Sequence, residues 1–118
     1  MSSDRELLEK AARAAGLELT ADNFIAPGEI PALTEEWGLC TGLGPTFWNP
    51  LTNDGDALRL AVKLGIGLWQ YMLTGEVEAE LHTPAQGSFT EWRDPDPCAA
   101  TRRAIVRAAA ALGEQHDQ

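Results

Sequence analysis

Residues 76–81 alternate without a break. Glu76, Glu78 and Glu80 fall on one side of an extended chain, and Val77, Ala79 and Leu81 on the other. Side chains along a strand point to opposite faces in turn, so this period specifies a strand with one wet and one buried face. A half-buried strand needs a neighbour, and one lies just upstream. Residues 66–73 read as extended, with Ile66, Leu68, Gln70 and Met72 on one face and Gly67, Trp69, Tyr71 and Leu73 on the other. Thr74-Gly75 supplies the turn between them. The chain is thereby committed to an antiparallel hairpin whose apolar side must be covered. Residues 88–93, beyond a turn at 84–87, are the expected third strand.

The cover comes from helical periods on either side. Ser3 and Glu6 form a capping box, after which Leu7, Leu8, Ala11, Ala12 and Ala15 recur at helical spacing until Gly16. A second helix starts at Thr52 or Asn53, both good caps, with Asp54 and Asp56 at its positive end. Leu58, Ala61 and Val62 are its expected buried stripe, Gly65 its stop, and Arg59 and Lys63 its outer face. The third helix is expected from Cys98 to Leu112, capped by Asp96 with Pro97 in its first turn and ended by Gly113. Ala100, Ala104, Ile105, Ala108 and Leu112 are its expected inner face. Between the first two helices, Pro27, Pro31, Pro45 and Pro50 interrupt any long element. One or two short strands are expected there, at 17–20 and 37–41, with the apolar residues folded back on the core. The whole is an α+β domain over residues 1–118, a small antiparallel sheet packed with about three helices.

Charge narrows the partners. The net charge is −9 and the pI about 4.5, against the basic footprint of a general nucleic-acid binder. The segment 66–73 is too short and too interrupted to span a bilayer, and the N-terminus turns charged and helical at once. A soluble cytoplasmic protein is the expectation. Catalysis is poorly supplied, since the only groups titrating near neutrality are His82 and His116. Cys40 and Cys98 stand far apart, without a zinc-ligand pattern, and their bonding is left open. Asn53-Asp54-Gly55-Asp56 has only part of a calcium loop, and a helix N-terminus already accounts for its acids. The expectation is no catalytic residue, no metal and no cofactor.

Binding residues are easier to nominate. Glu76, Glu78 and Glu80 make an acidic row that protects an exposed sheet face or docks a basic protein surface. Trp37 is nominated as an exposed interface anchor, the role in which tryptophan is most effective. Arg93, Arg103 and Arg107 with Trp92 form an alternative set, able to grip a small anion or nucleotide by bidentate bonds and stacking. The plainer account of those arginines is pairing with Glu91, Asp94 and Asp96.

Three blocks carry a resemblance. They are Asp4-Arg5-Glu6-Leu7-Leu8-Glu9-Lys10-Ala11-Ala12, the run from Trp48-Asn49-Pro50-Leu51-Thr52-Asn53-Asp54-Gly55-Asp56 through Leu64, and Ala99-Ala100-Thr101-Arg102-Arg103-Ala104-Ile105-Val106-Arg107-Ala108-Ala109. In this order they resemble the phage ABA-sandwich proteins of tailed bacteriophages and prophages, over about a third of the chain. Asn53 stands where the family pattern has Asp, and residues 16–47 and the acidic hairpin fall outside the resemblance. The resemblance implies helices packed on a small antiparallel sheet, phage origin and action inside the host cell. It implies no reaction and no catalytic residues. The expected function is a non-enzymatic phage accessory protein that binds a host or phage protein, in its sharpest form an inhibitor of a host defence such as an anti-CRISPR. Homo-oligomerisation stays open.

Overall fold

The computed structural model describes residues 3–17, 23–27, 29, 37–40, 47–82 and 87–115. In chain order its elements are α1 (Asp4–Ala14), β1 (Phe24–Ile25), β2 (Gly38–Cys40), β3 (Phe47–Trp48), α2 (Asp54–Leu64), β4 (Gly67–Tyr71), β5 (Glu76–Glu80), β6 (Ser88–Trp92) and α3 (Pro97–Gln115). The architecture is α+β, as the sequence patterning requires. The strands form two antiparallel sheets rather than one, ordered β1-β2-β3 and β4-β5-β6.

The helix ends follow from local chemistry. Ser3 Oγ accepts the Glu6 N–H at 3.2 Å to start α1. Asn53, not Thr52, caps α2, accepting the Asp56 N–H at 2.8 Å. Gly65 closes α2 at φ 68°, a left-handed conformation that a side chain would strain. Asp96 accepts the Ala99 N–H at 3.0 Å at the head of α3.

Two expectations about the helices are overturned. Leu58 and Val62 are 61% and 73% exposed, while Ala57, Leu60 and Ala61 are buried. Apolar residues cover more than half of α2, so two stripes were available to the core. The choice is fixed at the cap. Asp56 Oδ2 accepts the Asn49 N–H at 3.0 Å, which turns the face holding Asp56, Ala57 and Leu60 inward. The second correction is Gly113, which lies inside α3 and does not end it. It is buried where α3 crosses α1, and a Cβ there would overlap the Lys10 carbonyl oxygen and lie 2.7 Å from its carbonyl carbon.

α3 touches α1, α2, β5 and β6, with its most extensive contact against α1. It is therefore buried on more of its circumference than one amphipathic stripe. Val106, Ala109 and Ala110 join the expected Ala104, Ile105 and Ala108 in the core. Small side chains let it lie close to its neighbours on all of these sides. Leu39, on β2, is fully buried, with Phe24, Trp37 and Trp48 packed partly against the same core. These four fold back on the core as expected, while Ile30 and Leu33 lie outside the described residues. The expected strand at 17–20 lies outside the described residues except for Leu17, which is exposed and not in a strand.

Candidate functional site

The three acidic residues of the hairpin lie on the face of the second sheet opposite the buried side chains of β5. The register pairs Gly67 with Glu80, Trp69 with Glu78 and Tyr71 with Glu76. On the other side Glu76 pairs with Trp92, Glu78 with Thr90 and Glu80 with Ser88. Directly paired residues of antiparallel strands share a face. The outer face therefore reads as three rows. Gly67, Trp69 and Tyr71 form one, the three glutamates the middle, and Ser88, Thr90 and Trp92 the last. Val77 and Ala79, pointing the other way, are fully buried under α3.

Trp69 and Trp92 are 57% and 69% exposed, and the glutamates between the outer rows are half-buried. The Tyr71 hydroxyl donates to Glu78 Oε1 at 2.9 Å, fixing one carboxylate in the row. A shallow cavity of about 180 Å³ opens beside Glu78 and Glu80, walled by Gly87 and Ser88. Carboxylates paired with indole faces suit a guanidinium or ammonium group, which carboxylate oxygens can bond and an aromatic face can stack.

Tyr71 records the field of this row. Its hydroxyl is held above the usual phenol value of 10.0, first by the bond to Glu78, then by partial desolvation and by the charges of Glu78, Glu80 and Glu76. The bond contributes at neutral pH and is lost as pH rises through that raised value. Tyr71 is the only tyrosine, so an ultraviolet absorbance titration reads it alone. The expected midpoint lies above 10 for the native protein and falls toward 10 in Glu78→Ala.

Trp37 is corrected as an exposed anchor. Its ring is half-buried against the core and meets Phe24 edge-on, with centroids 6.2 Å apart. Its carbonyl accepts the Asn49 side-chain amide at 2.9 Å. The exposed tryptophans are instead Trp69 and Trp92, which flank the acidic row. The place of Trp69 was readable from the hairpin, because the turn fixes which β4 residues oppose the glutamates, whereas that of Trp92 depends on how β6 pairs with β5.

The four-residue anion set does not come together. Trp92 and Arg93 are consecutive across the end of a strand and diverge, with Arg93 Nε donating to Gln70 Oε1 at 2.9 Å on the inner face. Arg103 and Arg107 do share a cavity of about 570 Å³ between α1, β6 and α3, but Arg93 and Trp92 do not line it. Arg103 is paired with Asp4 at 3.0 Å and Arg107 with Glu91 at 2.5 Å. Arg107 also donates to the Thr90 carbonyl at 2.8 Å and lies over the Phe89 ring. Glu91 and Glu114 on the same wall offset the arginine charges.

Asn49, Asp54, Asp56 and Arg102 tie elements of the fold together. Asn49 is 3% exposed, and its side chain ties the Trp37 carbonyl to the Leu51 N–H. Asp54 pairs with Arg102 at 2.6 Å, and Arg102 Nε donates to the Leu51 carbonyl, joining the start of α2 to α3. Asp56 pairs with Arg59 at 2.7 Å. Cys40 and Cys98 are both free thiols, one half-buried and one exposed. His82 is exposed beside Gly65, and His116 lies outside the described residues. Among the described residues, no three His, Cys, Asp or Glu side chains are arranged to hold a metal ion, and no helix is long and apolar enough to cross a membrane. Comparison of the chain with protein-family models, curated proteins and solved structures yields no match.

Proposed function

We propose that this protein acts without catalysis, by binding a basic surface of another protein through the outer face of β4, β5 and β6. The observation that carries the reading is the single face on which Glu76, Glu78 and Glu80 lie between Trp69, Tyr71 and Trp92. Three like charges in a row repel one another mildly, and an incoming cation relieves that repulsion. The overall charge of −9 steers a basic partner toward the whole molecule. On the phage resemblance of the helical blocks, the partner is a host or phage protein met inside the infected cell. Stoichiometric inhibition of a host defence is the sharpest form of that role.

The test uses a short arginine-rich peptide as the basic probe, followed by the fluorescence of the exposed tryptophans. Binding is expected at low salt and should weaken as salt screens the row. Replacing two charges, as Glu76→Lys with Glu78→Lys, should weaken it by about tenfold or more. Circular dichroism should be unchanged, because both side chains lie on the outer face, and melting should fall only by the small amount that loss of the Tyr71–Glu78 bond costs. Equal binding by the native and doubly changed proteins overturns the reading. Affinity capture from infected or lysogenic cells with the same pair of proteins then identifies the partner as what the double variant no longer retains.

A further inference from the structure

The two edges of the second sheet differ. The Arg93 N–H donates to the Gly75 carbonyl at 2.8 Å and the Leu81 N–H to the Gly87 carbonyl at 3.2 Å. In an antiparallel ladder bonded pairs alternate with non-bonded ones, so these bonds set the phase for all three strands. Residues 77 and 79 bond toward β6, and Glu76, Glu78 and Glu80 bond toward β4. On the far side of β6 the Thr90 carbonyl points outward, and Arg107 covers it. On the far side of β4 the backbone groups of Leu68 and Gln70 point outward, and no bond to them is found among the described residues.

An open edge of this kind is normally blunted by lysine, proline, a bulge or a covering element. β4, Gly-Leu-Trp-Gln-Tyr, has no proline and no charge, and all five of its residues are exposed. Large exposed apolar side chains gather around it. Trp69 and Tyr71 lie on its outer side, Leu68 and Leu58 line one cavity on its inner side, Val62 follows on α2, and Met72 lies past its end. Together they expose several hundred Å², the scale of one partner's share of a standard interface.

We infer that β4 pairs antiparallel with β4 of a second copy of this chain, about a twofold axis at Trp69, giving a continuous six-stranded sheet. The register follows from the outward groups. Leu68 bonds Gln70 of the second copy and Gln70 bonds its Leu68, so both outward residues of each strand are used. Trp69 then faces its own counterpart in a non-bonded pair, where side chains approach most closely. Tyr71 falls opposite Gly67 of the second copy. A Cβ at Gly67 would meet nothing nearer than the Glu80 carbonyl at 3.8 Å, so there is room for an aromatic ring above it. The net charge of −9 does not forbid the contact. The two acidic rows would stand three strand spacings apart, about 14 Å, beyond the ~8 Å screening length of physiological salt. This inference does not rest on the basic-partner reading, since the acidic rows stay on the open face.

Sedimentation equilibrium tests it with the unmodified chain. The expected result is a reversible dimer, twice the 12.7 kDa chain mass, strengthened by added salt as the acidic rows are screened. Trp69→Lys should weaken it by about tenfold or more. A second test places a thiol at the axis. With Cys40→Ser and Cys98→Ser as background, Trp69→Cys should form a disulfide-linked dimer in a glutathione redox buffer, while Trp92→Cys, on the β6 edge away from the axis, should not. A chain that stays monomeric up to about 1 mM overturns the inference and leaves the edge to a strand of some other protein. A dimer unaffected by Trp69→Lys, or equal crosslinking at both positions, overturns it by placing the contact elsewhere.

Discussion

Replacing Gly113 by alanine is expected to lower the unfolding free energy by about 3 kcal/mol, the upper part of the range for overpacked cores, and Tm by on the order of 10 °C. The sign is the informative part. Glycine inside a helix normally costs about 1 kcal/mol relative to alanine, so propensity alone predicts a gain. Here the added methyl must enter the Lys10 carbonyl group, and backbone cannot rotate away as a side chain can. α1 would have to lift from α3, along the most extensive contact in the fold. The Lys10–Glu114 ion pair spans the same crossing at 2.6 Å and would be pulled with it. Denaturant unfolding of Gly113→Ala checks the prediction, with Gly75→Ala as the contrast in which alanine meets a left-handed φ of 82° but no neighbouring atom and should cost less. A stabilised Gly113→Ala would mean that the helices are not so closely approached.

Asn49→Ala is expected to cost a similar amount, about 3 kcal/mol, from two stranded partners at about 1–3 kcal/mol each. The side chain is buried, donates to the Trp37 carbonyl at 2.9 Å and accepts the Leu51 N–H at 3.0 Å. Its backbone carbonyl also accepts the Thr52 and Asn53 N–H groups, so the residue organises the approach to α2. Packing is close as well, since a Cβ on Gly38 would lie 2.8 Å from the Asn49 Cβ. Aspartate at this position keeps the acceptor for Leu51 but loses the donor for Trp37, and so should not restore stability. Unfolding by denaturant measures both variants. A loss below about 1 kcal/mol would show that the Trp37 and Leu51 groups find other partners.

The ends of α1, the cap of α2, the cap of α3 and the hairpin were legible because each depends on neighbours in sequence. Ser3 with Glu6, Asp96 with Ala99, and the alternation through Glu76 and Leu81 are local statements. The rotation of α2 was not legible, because Leu58 and Val62 compete with Ala57 and Leu60, and only the bond between Asp56 and Asn49 decides. Gly113 reads as a helix end to any local rule, since the Lys10 carbonyl that demands glycine is about 100 residues away in the chain. The acidic row of the candidate face was visible, but its aromatic flanks required the register of both β4 and β6 against β5. The burial of Trp37 was not legible, because nothing adjacent in sequence identifies Phe24 as the ring it meets edge-on.

The seam between α1 and α3 also sets a schedule for synthesis. About 80 residues separate the two helices, which at ribosomal speeds is a delay on the order of 10 s. Throughout that interval Leu8, Ala11 and Ala12 have been made but lack their principal neighbour. The nascent chain therefore cannot lock α1 until α3 clears the exit tunnel. Polypeptides stalled before α3 should remain protease-sensitive across α1, and those in which α3 has emerged should become resistant there.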